Sequence, residues 1–145
     1  SNNEIKQIIV SYYFKGKGFE YFKNKAEYFS LNKLNSLIRK KAIEKISWHK
    51  EKGHIVVVVS ASIDLWLRPW CQENDIKLIS TMLETDNKII TGKTYKNNCY
   101  GPEKVKRIRE EYDLADYSYI YAYGNSRGDY EMLDIAHESH YKPFT

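Results

Sequence analysis

Along the first third of the chain, apolar residues return at three- and four-residue intervals among lysines, asparagines and glutamates. Ile5, Ile8, Ile9 and Tyr12 predict a helix over residues 3–14, with Asn2 or Asn3 as its N-cap and a stop near Gly16 and Gly18. Phe22, Ala26 and Phe29 share one face of a second helix running from Phe19 to Phe29. Between Leu31 and Lys52 the spacing of Leu34, Leu37, Ile38, Ile43, Ile46 and Trp48 continues the helical pattern until Gly53, which offers a left-handed stop.

At Gly53 the period changes. Ile55 to Val59 is an unbroken β-branched run, the pattern of a strand buried on both faces, as in a parallel sheet covered by helices. Ser60-Ala61-Ser62 follows, then a helix over Ile63 to Asn74 that Pro69 must kink or open. Leu78 to Leu83 reads as a second strand, and Asp86-Asn87-Lys88 as a hairpin turn into Ile89 to Thr91. Gly101 and Pro102 open a helix through Lys104, Val105, Ile108 and Tyr112. Tyr117 to Tyr123 is a third strand ending at Gly124, a helix carrying Met132, Leu133 and Ala136 follows Gly128, and Tyr141 to Phe144 closes with a short strand. Strand and helix alternate from residue 54 onward, the order of an α/β sheet.

Composition narrows the class. A chain of 145 residues, 42% hydrophobic and 14% aromatic, can bury the core of one domain with a small appendage, which excludes disorder as a description of the whole. Cys71 and Cys99 are too few for a disulfide framework, and Ile55 to Val59, the longest apolar run, is far short of a membrane span. Residues 1–14 lack the pattern of a secretory signal, so a reducing, cytoplasmic setting is expected. The net charge of +4 is unevenly spread: residues 1–53 hold 12 Lys/Arg against 5 Asp/Glu, and residues 54–145 hold 11 against 14. A basic first layer on a mildly acidic second one suits an anionic substrate, a nucleic acid, or simple solvation. The basic residues are scattered around the predicted helices instead of forming one stripe, which disfavours nucleic acid despite the 13 tyrosines.

Candidate chemistry gathers where predicted strands end. Ser60 follows the apolar run; Gly124-Asn125-Ser126-Arg127-Gly128-Asp129 follows the third strand; Lys104 occupies the first turn of the helix before it. In open α/β sheets ligands bind at the carboxyl ends of strands, beside helix N-termini. Each piece has an ordinary alternative: Ser60 as a helix N-cap, Lys104 as a solvated side chain, and the loop as a polar turn with Asp129 capping the last helix. Lys104 carries one further hint, since a helix N-terminus is a poor place for a cation without an anion nearby. Trp66 and Trp70, one helical turn apart, read as packing residues, Cys71 and Cys99 as structural, and His49, His54, His137 and His140 as forming no ligand pair.

Order and spacing add to these pieces. An apolar strand before Ser60, Gly-Pro-Glu-Lys104 after 43 intervening residues, and Gly-Asn125-Ser-Arg-Gly-Asp129-Tyr-Glu-Met-Leu after 20 more resemble motifs II, III and IV of the haloacid dehalogenase superfamily, nearest its phosphoserine-phosphatase-like branch. The resemblance implies a Rossmann-like three-layer α/β/α core over residues 51–145 and an all-helical cap segment over residues 1–50. It implies a phosphatase that works through an aspartyl phosphate with Mg²⁺ on a small phosphorylated substrate. Ser60 and Ala61 would contact the phosphoryl group, Lys104 would offset its charge, and Asn125 and Asp129 would attend the metal. Such roles suit phosphoryl transfer, which depends on positioning and charge stabilisation, and Mg²⁺, which prefers oxygen ligands.

Two departures qualify the resemblance. The superfamily's first motif, Asp-x-Asp at the end of an N-terminal strand, occurs nowhere in the 145 residues. The reading is therefore an N-terminally truncated, inactive phosphatase fragment without its first strand, whose exposed sheet edges leave room for self-association. Asn125 stands where the family commonly has Asp, which weakens metal binding. The alternative function is a non-catalytic module that has lost the nucleophile and holds an anion or nucleic acid.

Overall fold

The computed structural model describes residues 15–144 and divides into two compact units, Ser1–Asn98 and Cys99–Thr145. The helix expected over residues 3–14 lies outside the described residues.

In the first unit, α1 (Phe19–Asn32), α2 (Leu34–Leu37) and α3 (Lys40–Glu51) precede the sheet. The long helical stretch is broken at Ile38 and Arg39, both in extended conformation, so α2 ends after one turn. The sheet has the order β1-β2-β3, formed by Val57–Ile63, Lys77–Asp86 and Ile89–Tyr95. β1 and β2 are parallel, joined through α4 (Asp64–Glu73) as a right-sized crossover, and β2 and β3 form an antiparallel hairpin. Asn87 and Lys88 both take positive φ, at 48° and 66°, the signature of the turn whose twist matches paired strands. The segment before α1 adds to β3 through Gly16 N–H to Ile90 O at 2.8 Å and Ile90 N–H to Lys17 O at 3.0 Å.

Two apolar clusters hold this unit. Phe22, Ile63, Leu83 and Ile90 form one, with Trp66 packed edge-on to Phe22 at 5.3 Å and to Phe29 at 5.4 Å. Leu34, Trp70, Cys71 and Ile76 form the other. Both tryptophans therefore pack, and both cysteines are free thiols buried in the fold. Pro69 sits inside α4, and the next N–H, that of Trp70, donates to the buried Ser30 hydroxyl of α1 at 3.0 Å. A proline disturbs the helical hydrogen-bond ladder around it, and Ser30 satisfies a donor there that could not be left bare in the core.

The apolar run differs from its expected form in two respects. Its strand starts at Val57 with Ile55 59% exposed, and Val57 to Val59 are half-buried instead of covered on both faces. It also continues through Ser60-Ala61-Ser62 to Ile63, with the register against β2 shifting between Ser60 and Ile63. Two residues of β1 are thus extra to the ladder, a bulge of the kind that re-aims side chains at a strand end.

In the second unit, α5 (Pro102–Glu111) has Pro102 in its first turn, and a 3-10 turn follows at Leu114–Asp116. β4 (Tyr121–Gly124) and β5 (Glu138–Tyr141) pair in parallel with Gly124 opposite Tyr141, and between them lie a 3-10 turn at Arg127–Asp129 and α6 (Tyr130–Asp134). The strand expected from Tyr117 is shorter because the Asp113 carboxylate captures the Ala115 N–H at 3.1 Å and holds the 3-10 turn, and because β5 offers only four partners. β5 itself begins at Glu138 and ends where a final strand had been expected to start. No helix among the described residues is long and apolar enough to cross a membrane.

Candidate functional site

The side chains of the second unit converge on Asp129. The buried face of α5 is charged: Lys104 and Arg107 are its buried residues. Arg107 is matched one turn back by Glu103 at 3.1 Å. Lys104 Nζ reaches Asp129 Oδ1 at 2.6 Å, with side-chain exposures of 7% and 8%. Asp129 Oδ2 accepts the backbone N–H of Asn125 at 2.9 Å, that of Ser126 at 3.1 Å, and the Ser126 hydroxyl at 3.3 Å. One carboxylate therefore folds the loop 124–129 around itself and neutralises the lysine. Burial pushes the Asp129 carboxyl up, but the Lys104 hydrogen bond, the Asn125 N–H, the Lys104 charge and the Ser126 N–H together hold it below the ordinary carboxylate value.

Two glycines permit this arrangement. A Cβ on Gly124 would lie 2.5 Å from Asp129 Cβ, and one on Gly128 would lie 2.3 Å from the Tyr100 ring. Gly101 N–H donates to Gly128 O at 2.9 Å, so the residues before α5 and the loop after β4 interlock. The Glu131 carboxylate lies against Gly101 at the N-terminus of α5, 3.7 Å from the position of a Cβ there. Asp129 thus supplies the negative charge that a lysine in a helix's first turn requires.

The sequence-based candidates separate as follows. Lys104, Asp129 and the Asn125 backbone are brought together, and the Asn125 side chain is exposed. Ser60 and Ala61 lie in the first unit, in the β1 bulge, where the Ser60 hydroxyl accepts the Ser62 N–H at 3.1 Å. Ser60 is not a helix cap, because the residue capping α4 is Ile63. Tyr100 and Glu131 were not among the candidates; their roles depend on contacts across the fold, for which single-sequence spacing gives no signal.

The donors suit Mg²⁺ poorly as they stand. The Asp129 carboxylate is engaged by a lysine, two N–H groups and a hydroxyl, and Asn125 offers one neutral oxygen. No group of three His, Cys, Asp or Glu residues able to hold a metal occurs among the described residues. His49 Nδ1 and His54 Nδ1 do approach to 2.8 Å, a pairing the sequence did not suggest, but as two nitrogens sharing a hydrogen bond.

A lysine bound to the acid that ends a Gly-Asn-Ser-Arg-Gly-Asp loop at a strand end agrees with the family model that matches residues 2–134, described as haloacid dehalogenase-like hydrolase. The chain belongs to the haloacid dehalogenase-like hydrolase family. Similar curated proteins are the CicA proteins of two Caulobacter vibrioides strains, NA1000/CB15N and ATCC 19089/CB 15, each 34% identical over 146 residues. Those matches cover 99% of this chain and 65% of each relative, so the chain spans about two thirds of their length. A crystal structure of a protein with unknown function from Bordetella pertussis Tohama I superposes with a TM-score of 0.84 at 16% identity, covering 96% of this chain and 65% of that one. The mixed α/β architecture is thereby that of a haloacid dehalogenase-like fold.

Proposed function

We propose that the protein is a phosphomonoester hydrolase of the phosphoserine-phosphatase-like branch, and that this chain supplies its charge-stabilising half. The observation that carries the reading is the buried Lys104–Asp129 pair at 2.6 Å, which holds an ammonium group beside the exposed Asn125 at the carboxyl end of β4. Phosphoryl transfer gains most from fixed positive charge where the equatorial oxygens build up negative charge, and a lysine held by a buried carboxylate needs no reorganisation to meet it. In this proposal Lys104 is the catalytic residue and Asp129 the positioning residue that keeps it aimed; a phosphoryl-holding role for Ser60 and Ala61, which lie in the first unit, is supported by the family motif alone. Bound Mg²⁺ would supply further neutralisation in this chemistry, and among these residues Asn125 would offer it one neutral oxygen while Asp129 is engaged by Lys104 and the loop.

The nucleophile is not provided by these residues, since no Asp-x-Asp occurs in the sequence. The helices before residue 51 take the part of a cap, and residues 51–145 that of the core. The expected outcome is that the whole gene product, carrying an apolar strand that ends in Asp-x-Asp, hydrolyses p-nitrophenyl phosphate with Mg²⁺, and that the 145-residue chain alone does not. A whole gene product without turnover overturns the enzymatic reading and leaves the anion-binding module in its place.

A further inference from the structure

We propose that His49 and His54 form a binding site for a divalent transition-metal ion of the Zn²⁺ or Cu²⁺ kind, at the junction between α3 and β1. The site lies in the first unit and takes a different class of ion from the Mg²⁺ of phosphatase chemistry, so neither reading depends on the other.

The way α3 ends builds the site. Gly53 takes a φ of 77°, the left-handed conformation in which many helices stop. Its N–H donates to Lys50 O at 3.0 Å, and the following N–H, that of His54, reaches back to His49 O at 3.0 Å. These are the two hydrogen bonds of a Schellman motif, which sets the side chains at its two ends against each other. An apolar pair commonly fills those two positions, whereas here both are imidazoles. The backbone therefore fixes the distance between two metal-ligating side chains before any ion arrives.

The two Nδ1 atoms lie 2.8 Å apart, and Trp48 meets both rings edge-on at 4.8 Å and 5.9 Å. His49 is buried and His54 exposed, so packing holds one ligand while the other can adjust and solvent reaches the pair. A contact this short between two ring nitrogens needs a proton on one and a lone pair on the other. When that proton moves to Nε2 of its own ring, both Nδ1 lone pairs face the same space, and a metal ion can take the proton's place. Zn–N bonds of about 2.0–2.1 Å at a tetrahedral angle set two nitrogens about 3.3 Å apart, so the rings need part by only about 0.5 Å. Waters complete the coordination. Imidazole nitrogens select borderline metals over Mg²⁺ and Ca²⁺, which seek oxygen, and the C-terminal end of a helix favours a cation. Lys45 and Lys52, whose ammonium groups lie over the Trp48 ring at 4.8 Å and 6.0 Å, oppose the ion by charge and moderate its affinity.

Titration of the metal-free 145-residue chain with Zn²⁺, followed by calorimetry and by proton–nitrogen NMR spectra of its four histidine rings, tests the site. The expected result is one ion per chain, with the Nδ1 resonances of His49 and His54 shifted and those of His137 and His140 unmoved, and no response to Mg²⁺ at the same concentration. His54→Gln, at an exposed position and with unchanged circular dichroism, is expected to lose the binding, and His137→Gln/His140→Gln to keep it. Absence of heat and of shifts with Zn²⁺, shifts confined to His137 or His140, or binding that survives His54→Gln overturns the proposal.

Discussion

Lys104 and Asp129 are held 2.6 Å apart with less than a tenth of either side chain exposed, and Asp129 spends its second oxygen on the loop that carries Asn125 and Ser126. The pair is therefore both an electrostatic and an architectural device. Removing one partner leaves a charge buried without compensation, at a cost of about 3–5 kcal/mol. Asp129→Ala should lower the free energy of unfolding by that amount in urea titrations, and Lys104→Met/Asp129→Leu should recover much of it. A loss below 1 kcal/mol in the single variant would show that the pair is solvated.

The same pair sets an acid dependence. The Asp129 pKa is depressed in the folded chain, so its contribution is fully present above the unfolded carboxyl value of about 3.9 and is lost as pH falls through the lower folded value. The stability gap between the native chain and Asp129→Asn is expected to be constant above about pH 5 and to shrink below about pH 4. Denaturation midpoints measured from pH 7 to pH 3 check this, and a gap that widens on acidification contradicts it.

Gly128 is fixed by Tyr100. A methyl group at residue 128 would sit 2.3 Å from the ring, a contact that backbone or ring must relieve. Gly128→Ala is expected to cost about 1–3 kcal/mol, the scale of overpacking a tight site. Adding Tyr100→Ala should return part of that loss, because the clash goes with the ring. Thermal melts of the three variants give the comparison, and additive losses would rule out the interlock.

Ser30 offers a test in the other unit. Its hydroxyl accepts the Trp70 N–H beside Pro69, and the serine is fully buried. Ser30→Ala strands that donor and should destabilise the chain by about 1–3 kcal/mol in urea titrations. Ser30→Thr, which keeps the oxygen, should lose less; equal losses would argue that packing alone is at stake.

Cys71 should be chemically silent. Burial pushes its thiol up to about 11, with Arg68 pulling weakly the other way, so thiolate is scarce at neutral pH. Labelling with a disulfide reagent at pH 8 is expected to be slow in the native chain and fast in urea. Fast native labelling would show that the second cluster opens.

What could be read from the sequence was what depends on neighbours in the chain. Asn87 and Lys88 mark the hairpin, Gly101-Pro102 marks the start of α5, and the order Ser60, Lys104, Asn125, Asp129 points to the family to which the chain belongs. Spacing could not show that β1 runs on through Ser60-Ala61-Ser62, because small polar residues at a strand end look like a loop until a bulge against β2 gives them partners. Nor could it show the break of the helical stretch at Ile38 and Arg39, where the apolar period continues while the backbone turns extended. The hydrogen bonds of Asp129 to Lys104, Asn125 and Ser126 depend on the meeting of α5 and the loop, which the motif does not reveal. Tyr100 was invisible for the same reason.

The most direct test of the proposed role of Lys104 is the turnover number of the whole gene product on p-nitrophenyl phosphate with Mg²⁺, compared with that of Lys104→Gln, whose folding is checked by circular dichroism. A lysine that stabilises transition-state charge is worth about 3–4 kcal/mol, so turnover should fall about a hundredfold or more while the folded signal persists. A folded Lys104→Gln enzyme that turns over at the native rate would contradict the account.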